Sequence, residues 1–394
     1  MATTDEPQRP QLLPLRAFYF FSFGGLGALF PYLPLLLSYR GLDPAQISWV
    51  MVLSPVANLV VPPLWGTLAD KLGARLVLLR LASLGCGLSV LLLLPVWGLW
   101  GSLLAMALVA FFRAPLTSLA DAAVYSTMGG RRASFSSVRV WGSLGFGVFV
   151  LTLGLARGSV NPPLLLGVTC AIYLLAGASL LPMRRPPYLR ERDVVRQTVQ
   201  ILTRAPMLLL LLGSAVYYTG HSTYDVFFPL HARALGHGED FVGVAWAVGI
   251  AVEIGVMLLA PAFLRRFRSA WLLAFCGAAA AARWLLLATL TGYVPLAALQ
   301  ALHGVTFGLW YLALVQFIQN RAPEHLRTSL QSMSLSSMGL GMVAGYLSGG
   351  AVFKQRGGTW LYREAGCCAA AAALLYVLCG LVDRREARRA DPES

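Results

Sequence analysis

The chain is a succession of long apolar runs, and each can cross about 30 Å of hydrocarbon as a helix. They fall at 15–38, 46–69, 76–97, 99–125, 138–156, 162–182, 206–230, 241–264, 270–291, 293–319, 329–353 and 359–382. A helix of a soluble protein is apolar along one stripe; these runs are apolar nearly all the way round. Charge is scarce to match. Only 12% of the 394 residues are charged, against about 25% in an ordinary soluble domain. The expected fold is an all-α membrane protein with twelve transmembrane helices.

The formal charge of +14 would suit nucleic acid if it formed a solvated stripe, but its placement argues against that. Of the 31 Lys and Arg, 21 lie in the N-terminus (counting Arg16 at the mouth of the first run), the even-numbered loops and the C-terminus, six on the opposite side, and four others within runs. This is the positive-inside asymmetry, so both termini are expected in the cytoplasm, with the surplus charge against anionic lipid. Residues 1–14 are polar and the first run is too long for a signal segment, so it is expected to remain as the first helix. The six cysteines all fall inside apolar runs, with no metal-ligand spacing, and read as packing residues. No metal or other cofactor is expected. The 29 Arg to 2 Lys suit a GC-rich genome and suggest a bacterial inner membrane.

The most polar internal stretch, 184–205, follows the sixth run. It divides the chain into a bundle over 1–183, a linker over 184–205 with a short surface helix near 189–203, and a bundle over 206–394. The halves echo each other. Arg132-Ala133-Ser134-Phe135-Ser136-Ser137-Val138-Arg139 opens the fifth run, and Arg327-Thr328-Ser329-Leu330-Gln331-Ser332-Met333-Ser334 opens the eleventh. Matched six-helix halves are a common way to build a midplane site between two bundles. At the end of this match Arg139 stands where the second half has Ser334.

Between the second and third runs lies Gly66-Thr67-Leu68-Ala69-Asp70-Lys71-Leu72-Gly73-Ala74-Arg75. Gly66 is expected to allow close helix approach, Asp70 to cap or pair with nearby helix ends, and Lys71 and Arg75 to hold the turn on the cytoplasmic side. The stretch resembles the loop signature of the major facilitator superfamily, where it latches one state of the bundles. The loop after the eighth run, Leu264-Arg265-Arg266-Phe267-Arg268, keeps the basic charge but lacks the Gly and Asp. Three further stretches narrow the resemblance. They are Phe111-Phe112-Arg113-Ala114-Pro115-Leu116 with Asp121, Arg139-Val140-Trp141-Gly142-Ser143-Leu144-Gly145, and Gln300-Ala301-Leu302-His303-Gly304-Val305-Thr306-Phe307-Gly308. Together they look like the phenylpropionate-permease and lactose-permease-like proton symporters. That likeness implies two pseudo-symmetric six-helix bundles, with substrate bound by Asp121 and Arg139. It also implies a coupling glutamate three residues after His303, where this chain has Thr306.

Charges inside spans are costly and usually face a bundle interior. Asp121, Asp225 and Glu253 are the embedded acids, with Arg113, Arg139, Arg283, His221 and His303 as candidate partners; Arg80 lies nearer a span end and can snorkel. Arg113, Thr117 and Asp121 share one helix face, as do Tyr217, His221 and Asp225. Arg113, Asp121, Arg139, Trp141, Tyr217, His221 and Phe307 are the expected substrate-binding residues. Glu253, Arg283, His303 and Asp225 are the expected proton-coupling group, because a carboxyl balanced between burial and a nearby cation can take up and release a proton. The alternatives are structural salt bridges, a packing histidine, and aromatic rings that only pack. The surplus of cations over acids favours a carboxylate substrate, and the aromatic residues suit a ring.

These features point to a proton-coupled symporter of a small organic solute, an aromatic carboxylate first and a sugar or nucleoside next. It would act as a monomer in contact with membrane lipids. Efflux by the same fold is the alternative, although residues 142–154 carry four glycines and no proline, unlike the signature of efflux antiporters. A non-transporting receptor is the remaining membrane alternative. Enzyme chemistry is not expected, since neither HExxH nor GxSxG occurs.

Overall fold

The computed structural model describes residues 12–95, 98–127, 135–157, 161–183, 201–323 and 326–390. Among them the chain is helical and holds no strand. The first expected run is divided into α1 (Leu12–Leu29) and α2 (Leu33–Tyr39). Pro31 and Pro34 flank the break; each lacks the amide that would continue the ladder. The second run is likewise divided, into α3 (Pro44–Met51) and α4 (Leu53–Leu72). Asp43 caps α3, accepting from the Ala45 and Gln46 amides at 2.9 and 3.0 Å, while Gln46 Oε1 accepts from the Asp43 amide.

The following runs are single helices: α5 (Arg75–Leu91), α6 (Leu99–Thr127), α7 (Phe135–Leu155), α8 (Pro162–Ser179), α9 (Ala205–Ala234), α10 (Glu239–Arg266) and α11 (Ser269–Leu287). The tenth run is not a regular α-helix. It passes from α12 (Tyr293–Leu299) through a 3₁₀ turn at Gln300–Leu302 and a π-helical stretch at Gly304–Leu309 into α13 (Trp310–Arg321). The last two runs form α14 (Arg327–Ala390), which kinks at Gly357, where φ is 77°. Nine helical segments among the described residues are long and apolar enough to cross a membrane, and one of them, Leu330–Glu386, holds both final runs. The 17-residue α5 falls outside that set. So does α9, whose length is interrupted by Tyr217, His221, Asp225 and His231.

The chain divides into two compact units, Met1–Leu42 with Val56–Glu191 and Asp43–Pro55 with Arg192–Ser394. In the first, α1 packs on α7 and α8, and α5 packs on α6 and α8. In the second, α14 gathers α9, α11 and α3, while α10 packs on the π-helical stretch. Small residues set the closest crossings, as between spans in lipid. A Cβ at Gly145 of α7 would come 2.0 Å from the Phe20 carbonyl oxygen of α1, and one at Gly341 of α14 would come 2.2 Å from that of Ala215 in α9.

Two arginines end helices. Arg80 Nη2 donates to the Leu180 carbonyl at 2.6 Å, covering the C-terminus of α8, and Arg40 Nη1 donates to the Leu93 carbonyl at 2.5 Å, just past α5. Arg80 is therefore a cap between helices. In the loop motif Gly73 has φ of 58°, a left-handed turn that a side chain would strain, and it lets the Ala74 amide donate back to Ala69. Lys71 is exposed in the last turn of α4, and Arg75 begins α5. A Cβ at Gly66 would meet no atom of the described residues within 4 Å, so among them it mediates no close approach. The Asp70 side chain, Arg132 to Ser134 of the repeat, and linker residues 184–200 lie outside the described residues. All six cysteines are free, and four are buried.

Candidate functional site

Each unit holds a polar cluster among its helices. The cluster of the second unit is built around Arg283 of α11, which is fully buried. Its guanidinium donates from Nη2 to Gln300 Oε1 at 2.7 Å and from Nη1 to Thr306 Oγ1 at 2.9 Å. Nη1 also lies 3.3 Å from His303 Nδ1. Because a guanidinium only donates, Nδ1 must accept, and the imidazole proton belongs on Nε2. Nε2 in turn lies 3.3 Å from Glu253 Oε2 on α10. Carboxylate, imidazole and guanidinium thus form one chain across three helical segments. Among the described residues Arg283 makes no ion pair with a carboxylate; Asp225 and Tyr224 of α9 lie within its electrostatic reach. The guanidinium also stands over the rings of Tyr224 and Trp284, 4.8 and 4.6 Å from their centroids.

The irregular backbone of the tenth span places three of these groups. The 3₁₀ turn presents Gln300, and the π-helical stretch that begins beside His303 carries Thr306 and Phe307. A π-bulge widens the ladder by one residue and often marks a functional position. Small residues let α10 come close: a Cβ at Gly308 would lie 3.2 Å from Glu253 Cγ, and one at Gly304 would lie 3.0 Å from the Val252 carbonyl oxygen.

Flat rings frame the chain of polar groups. His303 stacks on Phe307 at 5.2 Å with planes 6° apart, and Phe307 on Tyr311 at 6.4 Å and 12°. These three rings are half-buried and form a ladder along one face. Behind them Tyr217 stacks on Trp310 at 4.8 Å and donates its hydroxyl to the Thr306 carbonyl. Trp310 Nε1 donates to Tyr376 Oη at 3.2 Å. His221 lies 6.0 Å from His303 and 6.1 Å from Phe307, ring to ring. Three buried nitrogens here, Arg283 Nε, His221 Nδ1 and Trp284 Nε1, have no hydrogen-bond partner among the described residues.

The cluster of the first unit is smaller. Tyr19 of α1, 1% exposed, donates its hydroxyl to Asp121 Oδ1 of α6. Arg139 of α7 lies within electrostatic reach of both. Arg113 sits apart, two helical turns away along α6, about 12 Å by the rise per residue. It donates to Asn58 Oδ1 of α4 at 3.3 Å and neighbours Cys86 and Tyr173. Trp141 is 38% exposed. The structure therefore joins Asp121 with Arg139 in one unit and Glu253, Arg283, His303, Tyr217, His221 and Phe307 in the other, with Asp225 at the edge of the second group.

The profile of the MFS_1 like family matches residues 12–364. The chain belongs to this family. Among its relatives is a maltose permease of Geobacillus stearothermophilus, 28% identical over 86% of this chain and 88% of that protein. A probable 3-phenylpropionic acid transporter of Escherichia coli is 25% identical over 77% of this chain and 80% of its own length. In fold it is similar to the crystal structure of a point mutant of the nucleoside transporter NupG, with a TM-score of 0.84 at 16% identity, over 94% of this chain and 99% of that one. The chain is thus a multi-pass membrane transporter of the major facilitator type and not an enzyme. Within this MFS_1-like protein, sequence reasoning missed Tyr19 and Gln300 as site residues. Gln300 opens the motif that contains His303, and its neutral amide carries no signal on its own. Tyr19 is one of several aromatic residues in an apolar run.

Proposed function

We propose that the protein is a proton-coupled symporter of a small organic solute, working by alternating access. The chain Glu253–His303–Arg283 carries this reading. Arg283 holds Nδ1 of His303 in the accepting role, and Nε2–H faces Glu253. An added proton therefore goes to the Glu253 carboxyl, because the free imidazole nitrogen is already engaged. Protonation removes the charge that holds Nε2–H and loosens the joint between α10 and the tenth span. Thr306, in the place where the lactose permease pattern has its coupling acid, serves as a neutral ligand of Arg283.

An aromatic carboxylate is the substrate class that best fits the ring ladder of His303, Phe307 and Tyr311 together with three nitrogens that have no partner among the described residues, each of which costs energy until a polar group meets it. Arg139 and Asp121 are assigned to substrate in the first unit, with Tyr19 fixing Asp121. The likeness to a maltose permease favours a second reading, a neutral sugar. The loop motif from Gly66 to Arg75 is assigned to state control, the protein to a bacterial inner membrane as a monomer, and both termini to the cytoplasm.

The test is uptake by proteoliposomes under an imposed pH gradient, screened across aromatic acids and sugars. Glu253→Gln is expected to abolish gradient-driven accumulation while leaving counterflow exchange. Accumulation undiminished in Glu253→Gln would overturn the coupling assignment, and a transported sugar with no transported acid would select the second reading.

A further inference from the structure

At one end of the second unit, the last turn of α10, the first turn of α11, the end of α13 and Asp383 of α14 line a pocket of about 510 Å³. The N-terminus of α11 opens into it. Arg268, at the N-cap, provides no side-chain cap, and the first turn contains no acid. The first amides of a helix lack internal partners and draw negative charge; α2, α5, α9 and α12 also start without a side-chain cap or an acid, and what sets α11 apart is the charge and the pocket around its start. By contrast, α10 starts with Glu239 and Asp240, and α3 has the Asp43 capping box.

A second observation points to a ligand. Ser269 lines the pocket and is only 6% exposed, yet its Oγ has no hydrogen-bond partner among the described residues. The surrounding charge favours an anion. Arg265, Arg266, Arg268 and Arg321 line the pocket, with Asp383 as the only carboxylate among the described residues that line it. Asp383 is already shared, 3.0 Å from Arg268 Nη2 through Oδ2 and 3.0 Å from Arg321 Nε through Oδ1. Arg265 and Arg266 remain exposed beside it. Helix amides, a buried hydroxyl and clustered guanidinium groups are together the chemistry that binds phosphate oxygens.

We propose that this pocket binds a phosphate group, carried either by an anionic phospholipid or by a free phosphate. The phosphate oxygens sit on the first amides of α11, Ser269 Oγ donates to one of them, and Arg265 and Arg266 supply the balancing charge. Asp383 holds Arg268 and Arg321 at the rim. The site is separate from the Glu253–His303–Arg283 chain and does not depend on the transport reading.

Native mass spectrometry of the full-length protein in detergent tests it, titrated separately with phosphatidylglycerol, phosphatidylcholine and inorganic phosphate. Phosphatidylglycerol is expected to bind more tightly than phosphatidylcholine. The Arg265→Gln/Arg266→Gln double variant should lose about 25-fold of that affinity, taking about fivefold per arginine beside an anionic headgroup. Ser269→Ala should lose about fivefold, one hydrogen bond's worth. Both variants should keep the wild-type melting temperature, since the two arginines are exposed and the serine loses only an unpaired hydroxyl. Binding of inorganic phosphate that these substitutions weaken, without preference for phosphatidylglycerol, assigns the site to a free phosphate. Equal binding of both lipids with no phosphate bound, or affinities unchanged in both variants, overturns the proposal.

Discussion

The two polar clusters solve the same problem with different amounts of protein. In the second unit Arg283 is fully buried and meets three neutral partners and two aromatic faces. In the first unit Arg139 is half-buried, Tyr19 donates to Asp121, and Arg139 lies within electrostatic reach of both. A buried cation without its own carboxylate is tolerated only when every neighbour is arranged around it. The second cluster is therefore the larger structural element as well as a site, whereas the first holds the fold mainly through the bond from Tyr19 to Asp121.

Replacement of each arginine by methionine separates these roles most strongly. Arg283→Met leaves Gln300 Oε1 and Thr306 Oγ1 without their donor. The expected loss is about 3 kcal/mol, read as a fall in apparent melting temperature in detergent together with loss of transport. Arg139→Met should lower that temperature less than Arg283→Met does, because Asp121 keeps its hydrogen bond from Tyr19, while weakening substrate binding measured by ligand-induced thermal shift. Equal destabilisation by the two substitutions would erase the distinction. The next largest effect belongs to Tyr19→Phe. It removes a hydrogen bond to a carboxylate and should cost about 2 kcal/mol, with substrate affinity falling as Asp121 loses its anchor. A silent Tyr19→Phe would mean that Arg139 alone positions Asp121.

The sequence disclosed the residues of the second cluster better than it disclosed their arrangement. Charge inside lipid is expensive enough that Glu253, Arg283 and His303 stand out as letters, and the structure joins them. What linked them was invisible, because the 3₁₀ and π-helical turns of the tenth span depend on packing against α10 through Gly304 and Gly308. A run of apolar residues reads as a regular helix whether or not it contains a bulge. The kink at Gly357 falls in the gap that the runs leave between 353 and 359, whereas the break at Pro31 and Pro34 lies inside the first run, where the run length did not use its local signal. Gly66 shows the opposite case, since a glycine in a family signature suggested a close approach and no described residue lies within 4 Å of a Cβ placed there. Arg80 was legible as a charge near a helix end, but its acceptor, Leu180, is a hundred residues away in sequence.

The smallest expected effect comes from an ion pair outside the spans, and it gives the lower limit against which the buried clusters are measured. Lys354 Nζ lies 2.9 Å from Asp43 Oδ2, with both side chains partly in solvent. Partial burial pushes the Asp43 carboxyl up, but the hydrogen bond from Lys354, the Gln46 and Ala45 amides and the lysine charge outweigh it, so the carboxyl is held below its ordinary value of 3.8. A carboxyl lowered on folding stabilises the fold at pH above 3.8, and that contribution fades as pH falls through the lowered value. Asp43→Asn keeps an N-cap for α3 but removes the charge. Melting profiles of wild type and Asp43→Asn should therefore differ by a small constant near neutral pH and converge below pH 3.8, and added salt should shrink the difference. Convergence on raising the pH instead would mean that the pair works against the fold. A difference as large as that of Arg283→Met would mean that an exposed ion pair can match a buried cluster, and the contrast between the two kinds of site would fail.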